Sequence, residues 1–272
     1  MAVVLLIGGL VAAGSRVRNF DRHAAQPGAD VVPAASSVPP GRVIRPSDAD
    51  GVINSVRINE MSSKNVYQQM VSYARGTMEM AALVALAVGA PAAEVTSTKR
   101  AAEIAEMGAK TVHQQKAVYL EGTMSLLALA ARASGASAAD VGSILSQLRV
   151  NEIGMDTVHQ QNANYCDGAL LFAETIARSA GASGADAAAI MAEARAADMG
   201  ARNVNHQIVG RLTGFVRMLG LAAKARGLSK AAIQGILSDM RAADISADTV
   251  FQQEVTRLAA SLRLLGLIAA GR

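Results

Sequence analysis

The sequence has no tryptophan, a single cysteine, and aromatic residues that make up only 3% of its 272 positions. With Cys166 alone, an intrachain disulfide is excluded, and the chain suits a reducing compartment. Basic residues are scattered and seldom interleaved with aromatic ones, so the formal charge of +4 does not indicate a nucleic-acid surface. Ala, Leu, Met and Gly supply the apolar mass instead, and this composition favours helices over strands.

Prolines are also scarce, and five of the six lie in residues 16–46, a segment of linker composition that contains "PGADVVPAASSVPPGRVIRP". Before it, residues 1–15 form an apolar segment, with "AVVLLIGGLVAA" at 2–13. This segment is shorter than the roughly 20 residues that span a bilayer, and it lacks the basic start of an ordinary signal peptide. We expect it either to insert shallowly into a membrane or to be buried in an assembly. Residues 47–272 are predicted to form a helical repeat domain.

The repeat is visible in the string "TVHQQ", which occurs at 111–115 and again at 157–161. Related strings place the unit starts 46 residues apart, at 65, 111, 157, 203 and 249. The first residue of each unit is a good helix N-cap, and a Gln three residues later forms a capping box in every unit except the fourth, which has His206. The predicted capping residues are Asn65, Gln68, Thr111, Gln114, Thr157, Gln160, Asn203, Thr249 and Gln252.

Glycines mark the middle and the end of each long helix. A glycine inside a helix costs about 1 kcal/mol relative to Ala, so its recurrence at one place indicates a close backbone crossing where a Cβ would collide. These close-packing glycines are Gly76, Gly122, Gly168 and Gly214. A second set is predicted to end each helix in a left-handed turn; its members are Gly89, Gly135, Gly181 and Gly227. With a shorter helix after each turn, the pattern predicts an all-α fold of ten helices, in tandem pairs that form a solenoid-like or bundled array.

An acidic residue stands near the end of each short helix. The acidic residues are Glu60, Glu106, Glu152, Asp198 and Asp244. An Arg precedes the acid by three residues in four units, which predicts an ion pair on a solvated helix face, worth a few tenths of a kcal/mol.

Neither end of the array has the polar outer face that normally caps a soluble solenoid. The last helix contains "RLAASLRLLGLIAAGR", and long helices such as "TMEMAALVALAVG" are apolar on nearly all sides. A helix that is apolar all round is buried by its own chain, by neighbours or by lipid. Both features favour a protein that packs against copies of itself.

No constellation of residues indicates catalysis. His113 and His159 share a column, and stacked units would bring them within about 10 Å, but carboxylate or cysteine ligands at metal-binding spacing are missing. HExxH, CxxC, a glycine-rich phosphate loop and GxSxG are absent from the sequence. Cys166 is predicted to be a small core residue. We therefore expect no enzyme, no metal and no cofactor.

One local pattern resembles the RebB-type proteins of bacterial R-bodies. The string "EMGAKTVHQQ", with "VGAPA" (88–92) before it, is similar to their "APA" stretch, Met-Gly, aliphatic residue, Tyr-Gln and mid-helix glycine. The matching residues are Met61, Val66, Tyr67, Gln68 and Gly76, and then Met107, Gly108, Val112, Gln114 and Gly122. The resemblance implies a cytoplasmic structural polymer, a coiled ribbon, without catalytic residues. The five tandem units and the apolar N-terminus depart from that family, whose members are shorter single units.

Three functions compete at this stage. The first is a non-enzymatic structural protein, bacterial or phage, that self-assembles through its apolar repeats into a polymer or particle, in the cytoplasm or in a virion. The second is a membrane-engaging virion component, such as a phage ejection protein, that uses residues 2–13. The third is an α-solenoid adaptor with a peptide-binding groove. The expected partner in the first case is the chain itself, and nucleic acid is expected in none of them.

Overall fold

A computed structural model describes residues 43–271, and that range contains ten α-helices and no strand. The long helices are α2 (Val66–Ala87), α4 (Val112–Ala133), α6 (Val158–Ser179), α8 (Val204–Ala225) and α10 (Val250–Ala270). The short helices are α1 (Pro46–Ser62), α3 (Ala92–Met107), α5 (Ala138–Ile153), α7 (Gly184–Met199) and α9 (Lys230–Ile245). The predicted tandem helix pairs are therefore confirmed. The apolar segment 1–15 and the linker up to residue 42 lie outside the described residues.

Glycines in the left-handed region end all five long helices, and Gly271 does so for α10 with a φ of +66°. Gly89 has a φ of +95°, its N–H donates to the carbonyl of Leu86, and the N–H of Ala90 donates to the carbonyl of Ala85. This pair of hydrogen bonds satisfies the last carbonyls of α2 and turns the chain into α3. Positive φ angles recur at the equivalent glycines of the next three units. Because a side chain with a Cβ rarely adopts this conformation, the glycines set the length of the long helices.

The five long helices close into a ring. α2 packs on α4, α4 on α6, α6 on α8 and α8 on α10, and α10 returns to α2. Each short helix packs chiefly on the long helix that follows it. Since every short helix carries the chain back, the five long helices run parallel, with their N-terminal ends at one end of the ring. The rings of Tyr67 and Phe251, 5.0 Å apart, join the first unit to the last at that end.

Ring closure explains why the long helices are apolar on nearly all sides. Their inner faces meet around the axis and their flanks pack between neighbours. In α10, the side chains of Leu258, Leu262 and Leu265 are at most 2% exposed. The sequence predicts that the uncapped ends of the array pack against further copies, but in the described residues α10 and α2 cover each other instead. A closed ring has no terminal unit and does not need the polar outer face of a linear solenoid.

Candidate functional site

The repeated capping residues lie where the long helices begin. Thr111, Thr157 and Thr249 each accept a hydrogen bond of 3.2 Å from the backbone N–H three residues later. The Gln at that later position accepts in return from the N–H of the Thr and from the N–H of the residue before it. Asn65 and Asn203 also cap their helices through the side chain. The signature therefore serves helix starts, since its first Gln is engaged with backbone rather than turned toward a ligand.

The mid-helix glycines make room for neighbouring side chains. A Cβ on Gly122 would come within 2.6 Å of the Sδ of Met78, and a Cβ on Gly168 within 2.6 Å of the Sδ of Met124. Both methionines belong to the preceding long helix. The other two glycines face side chains of the preceding short helix; they are Gly76 and Gly214. The space left by these glycines is therefore occupied by neighbouring side chains, with which a Cβ would collide, rather than by the backbone of another helix.

The acidic residue near the end of each short helix bonds to a side chain 13 residues later, in the following long helix. The hydroxyl of Tyr73 donates to Glu60 at 2.7 Å, and that of Tyr165 donates to Glu152 at 2.6 Å. Burial, above all, raises the pKa of both tyrosine hydroxyls, and the nearby carboxylates add to the rise. The sequence prediction considered only the Arg three residues before the acid and missed this partner. The signal was present as three tyrosines spaced 46 residues apart.

In the last two units the same contact is an ion pair. Arg211 donates to Asp198 at 3.0 and 3.1 Å, and Arg257 donates to Asp244 at 2.6 and 3.1 Å. Both members of the contact change together, from Glu with Tyr to Asp with Arg, so the shorter acid makes room for the longer base. This paired change indicates that the contact ties the short helix to the long one in every unit.

The contact between the acidic residue and its Tyr or Arg partner also involves a side chain from the preceding long helix. In the last unit the hydroxyl of Thr213 accepts a hydrogen bond of 2.6 Å from Arg257. At the equivalent place two units earlier, Glu121 faces the carboxylate of Glu152. Burial first, and then this like charge, raises the pKa of Glu121 to about 7. Two carboxyl groups thus lie close together at the contact between the second and third units, and the negative charge of one disfavours ionisation of the other.

We expect Glu121→Gln to stabilise the protein at pH 8 and to have little effect below pH 4.5. The folded-state pKa lies above the unfolded value of 4.5, so the stability linked to this group is present below pH 4.5 and is lost as the pH rises through 7. One pKa unit corresponds to about 1.4 kcal/mol, and with allowance for partial exposure we expect a gain of about 2 kcal/mol at pH 8. Urea unfolding at both pH values measures it. The exposed Glu103→Gln is the control, and an equal gain at both pH values would contradict the assignment.

Five side chains close the axis at the N-terminal end of the ring. Each is the second residue of a long helix, and they are Tyr67, His113, His159, Asn205 and Phe251. The ring centroids of His113 and His159 are 4.5 Å apart, and those of Tyr67 and His113 are 5.4 Å apart. Burial, followed by the proximity of His159 and Lys116, lowers the pKa of His113. His113 therefore lies in a mouth of the ring where burial favours its neutral imidazole.

Three residues further along each long helix, the axis holds a buried ion pair. The side chains in this layer are at most 1% exposed, and they are Met70, Lys116, Asn162, Ile208 and Glu254. The Nζ of Lys116 lies 2.6 Å from the Oε2 of Glu254. Because α2 separates α4 from α10 in the ring, this pair reaches across the axis. Burial raises the pKa of Glu254, and the ammonium of Lys116 opposes that rise.

Several polar atoms in these two layers are buried without a hydrogen-bond partner. They include the Nδ1 atoms of His113 and His159, the Oε1 of Glu254, and both amide atoms of Asn162. Within residues 43–271, no three His, Cys, Asp or Glu side chains are grouped so that they could hold a metal ion. Cys166 is fully buried in α6, and burial raises its pKa to about 12, which keeps it a thiol rather than a thiolate. The axial residues thus form a polar plug at one end of the ring.

A shallow cleft of about 340 Å³ opens between the first two units. It is lined by polar groups that include Gln68, Glu106 and Tyr119. These three groups already have partners within the chain, because Gln68 accepts from the backbone at a helix start and Tyr119 bonds to Glu106. The cleft is therefore a groove between units whose polar groups stabilise the fold.

A large apolar side chain is exposed at the same place in every unit. These side chains are Met61, Met107, Ile153, Met199 and Ile245. They are 78–88% exposed and lie at the C-terminal ends of the short helices, so all five surround the mouth of the ring. The turn that follows carries an exposed charge in each unit: Lys64, Lys110, Asp156, Arg202 and Asp248. These ten residues are termed the end face.

The fold and the repeat together define a closed ring of five tandem helix pairs. No described helix has both the length and the apolar character to cross a bilayer. No family model, curated protein or solved structure matches the chain. The resemblance to RebB-type proteins therefore stays a prediction.

Proposed function

We propose that this chain is a non-enzymatic structural protein that associates with further copies of itself through the end face. The observation that carries the proposal is the large apolar side chain, 78–88% exposed, that recurs in all five units at one end of the ring. A single exposed apolar residue on a soluble protein is ordinary. Five at equivalent positions around one mouth favour a surface that is covered in the assembled protein.

The closed ring changes where the driving force for association lies. The long helices bury their apolar faces within the chain and leave none for a neighbour. The ends of the short helices supply the apolar surface instead. The resemblance to RebB-type proteins implies the same kind of role, that of a structural protein without catalytic residues. An adaptor with an open concave groove is not supported, because the described long helices enclose a filled axis.

The proposal predicts that charge placed on the end face abolishes association. In full-length protein carrying Met107→Lys, Ile153→Lys and Met199→Lys, we expect a monomer at concentrations where the unsubstituted chain forms larger species. Burying lysine in an apolar contact costs several kcal/mol per site. Sedimentation velocity over a range of concentrations measures the effect.

The matched control carries the same added charge on exposed mid-helix positions, as Thr96→Lys, Ser146→Lys and Ala192→Lys, and should associate normally. A monomeric unsubstituted chain at the highest concentration would overturn the proposal. So would a control that loses association as completely as the end-face variant. Flotation of the same proteins with liposomes tests the membrane alternative; binding that the end-face lysines remove, in a chain that stays monomeric, would favour lipid as the partner.

A further inference from the structure

We infer that two copies meet face to face through the end face, in one register, with the second unit of one copy against the second unit of the other. This inference rests on the proposed function and specifies the geometry of the contact. The end face presents five apolar patches around one axis, so a partner that covers all five must present five patches at the same spacing. A second end face does so, and a two-fold contact between them is isologous and closed.

Only five registers are available to such a contact. The units are numbered 1 to 5 in the order α2, α4, α6, α8 and α10, which is also their order around the ring. A two-fold axis that lies across the ring reverses this order in the partner. One unit then faces its own copy, and the other four form two exchanged pairs.

The exposed charges of the turns separate these registers. Units 1 to 5 carry Lys64, Lys110, Asp156, Arg202 and Asp248. When unit 3, 4 or 5 faces itself, at least one exchanged pair brings like charges together. When unit 1 or unit 2 faces itself, both exchanged pairs join opposite charges. Charge complementarity of this kind sets register and partner more than affinity.

Two registers remain, with unit 1 or unit 2 facing its own copy, and the sizes of the apolar patches distinguish them. Units 1 to 3 carry a second large exposed apolar residue one turn earlier, whereas units 4 and 5 have Ala196 and Ala242. These additional residues are Ile58, Ile104 and Val150. With unit 2 facing itself, Ile104 meets Ile104 and Ile58 meets Val150, so the larger patches cover each other. With unit 1 facing itself, two of the larger patches would face alanine.

In this register, Lys64 of each copy lies opposite Asp156 of the other, and Arg202 lies opposite Asp248. The two copies of Lys110 meet at the two-fold axis, where their long, exposed side chains can separate into water. The contact is thus apolar in each patch, with two kinds of ion pair, each formed twice.

Disulfide cross-linking of full-length single-cysteine additions tests the register. Native Cys166 is buried, so the unsubstituted chain gives the background. Under mild oxidation, Met107→Cys should form a covalent dimer by itself. Met199→Cys should form little by itself, but should cross-link when mixed with Ile245→Cys. The exposed Ser146→Cys is the control for random collision.

Other cross-linking patterns would overturn the inference, and they show whether the proposed function fails with it. Dimers of Met61→Cys alone, together with mixed dimers of Met107→Cys and Ile245→Cys, would assign the other register. No cross-link above the Ser146→Cys background, in a chain whose association the end-face lysines still abolish, would reject the face-to-face contact but keep association. A chain that is monomeric throughout would reject both.

A charge swap gives a second, independent measurement. Lys64→Asp alone and Asp156→Lys alone should each weaken the dimer about tenfold, because each places two like-charged contacts in the dimer. The chain with both substitutions should regain the original affinity. Additive weakening in the double variant would contradict the assigned pairing.

Discussion

Lys116→Met is expected to destabilise the ring by about 3–5 kcal/mol, because it leaves the carboxylate of Glu254 buried without its cation. The ammonium and the carboxylate are 1% and 0% exposed, and they lie 2.6 Å apart across the axis. Neither group can reach water without opening the ring. Urea unfolding monitored by circular dichroism measures the loss.

The double variant Lys116→Met/Glu254→Leu tests whether the loss comes from the unpaired carboxylate, because it removes both charges. Removal of both charges replaces a desolvated pair with apolar contact beside Met70 and Ile208, and such replacements are often neutral or stabilising. We therefore expect the double variant to unfold within about 1 kcal/mol of the original chain or to be more stable. Lys99→Met is the control, because its partner Glu79 is partly exposed and a loss under about 1 kcal/mol is expected. Equal losses in the single and double variants would show that the pair itself stabilises the fold.

Removal of α10 should unfold the whole ring rather than its last unit. A chain that ends at Asp248 would leave facing surfaces of α2 and α8 without cover, and would lose Leu258, Leu262 and Leu265 from the core. Each such side chain contributes roughly 1.5–3 kcal/mol when buried, so the loss rivals the typical net stability of about 5–15 kcal/mol for a domain. We expect loss of the cooperative thermal transition, or association into aggregates.

A circular permutant separates this effect from a change in chain ends. Joining Gly271 to Arg45 through a short linker, and opening the chain at Gly135 between α4 and α5, keeps all ten described helices and the closed ring. We expect its melting temperature to stay within about 5 °C of the original. An open solenoid would behave in the opposite way, since its remaining units stay folded when a terminal one is lost. A truncated chain that retains a cooperative transition would therefore argue against closure.

Local features of the sequence were sufficient to predict the helices. Thr111 with Gln114 at a helix start, and Gly89 at a helix end, act within a few residues and carry the same chemistry wherever the helix is placed. Closure depends instead on contacts such as the 3.4 Å hydrogen bond from Thr77 to the carbonyl of Leu258, 181 residues apart. The same columns of residues suit an open or a closed array, so the repeat alone could not distinguish them.

The candidate site was less accessible to sequence analysis. The Lys116 to Glu254 pair joins residues 138 positions apart and breaks the repeat, so no periodic signal marks it. The column that contains Met61 was visible, but periodicity cannot tell whether an apolar residue at a helix end lies under a neighbour or in water. The contact from Glu60 to Tyr73 could have been found, because both columns repeat and change chemistry together.

The contact between the acidic residue and its Tyr or Arg partner also determines which segment of this chain can be grafted or recombined as a unit. Each such contact joins a short helix to the long helix after it, so the natural cassette is a short helix followed by a long one, and the described chain consists of five of them. A graft cut at Gly135 would carry every acid together with its own partner. A cut at Asn203, at a helix cap, would separate Asp198 from Arg211 and would place a glutamate of another unit opposite an arginine that pairs with aspartate here. Recombination at the glycine turns would thus preserve the ring, although the most conspicuous motif in the sequence marks the caps.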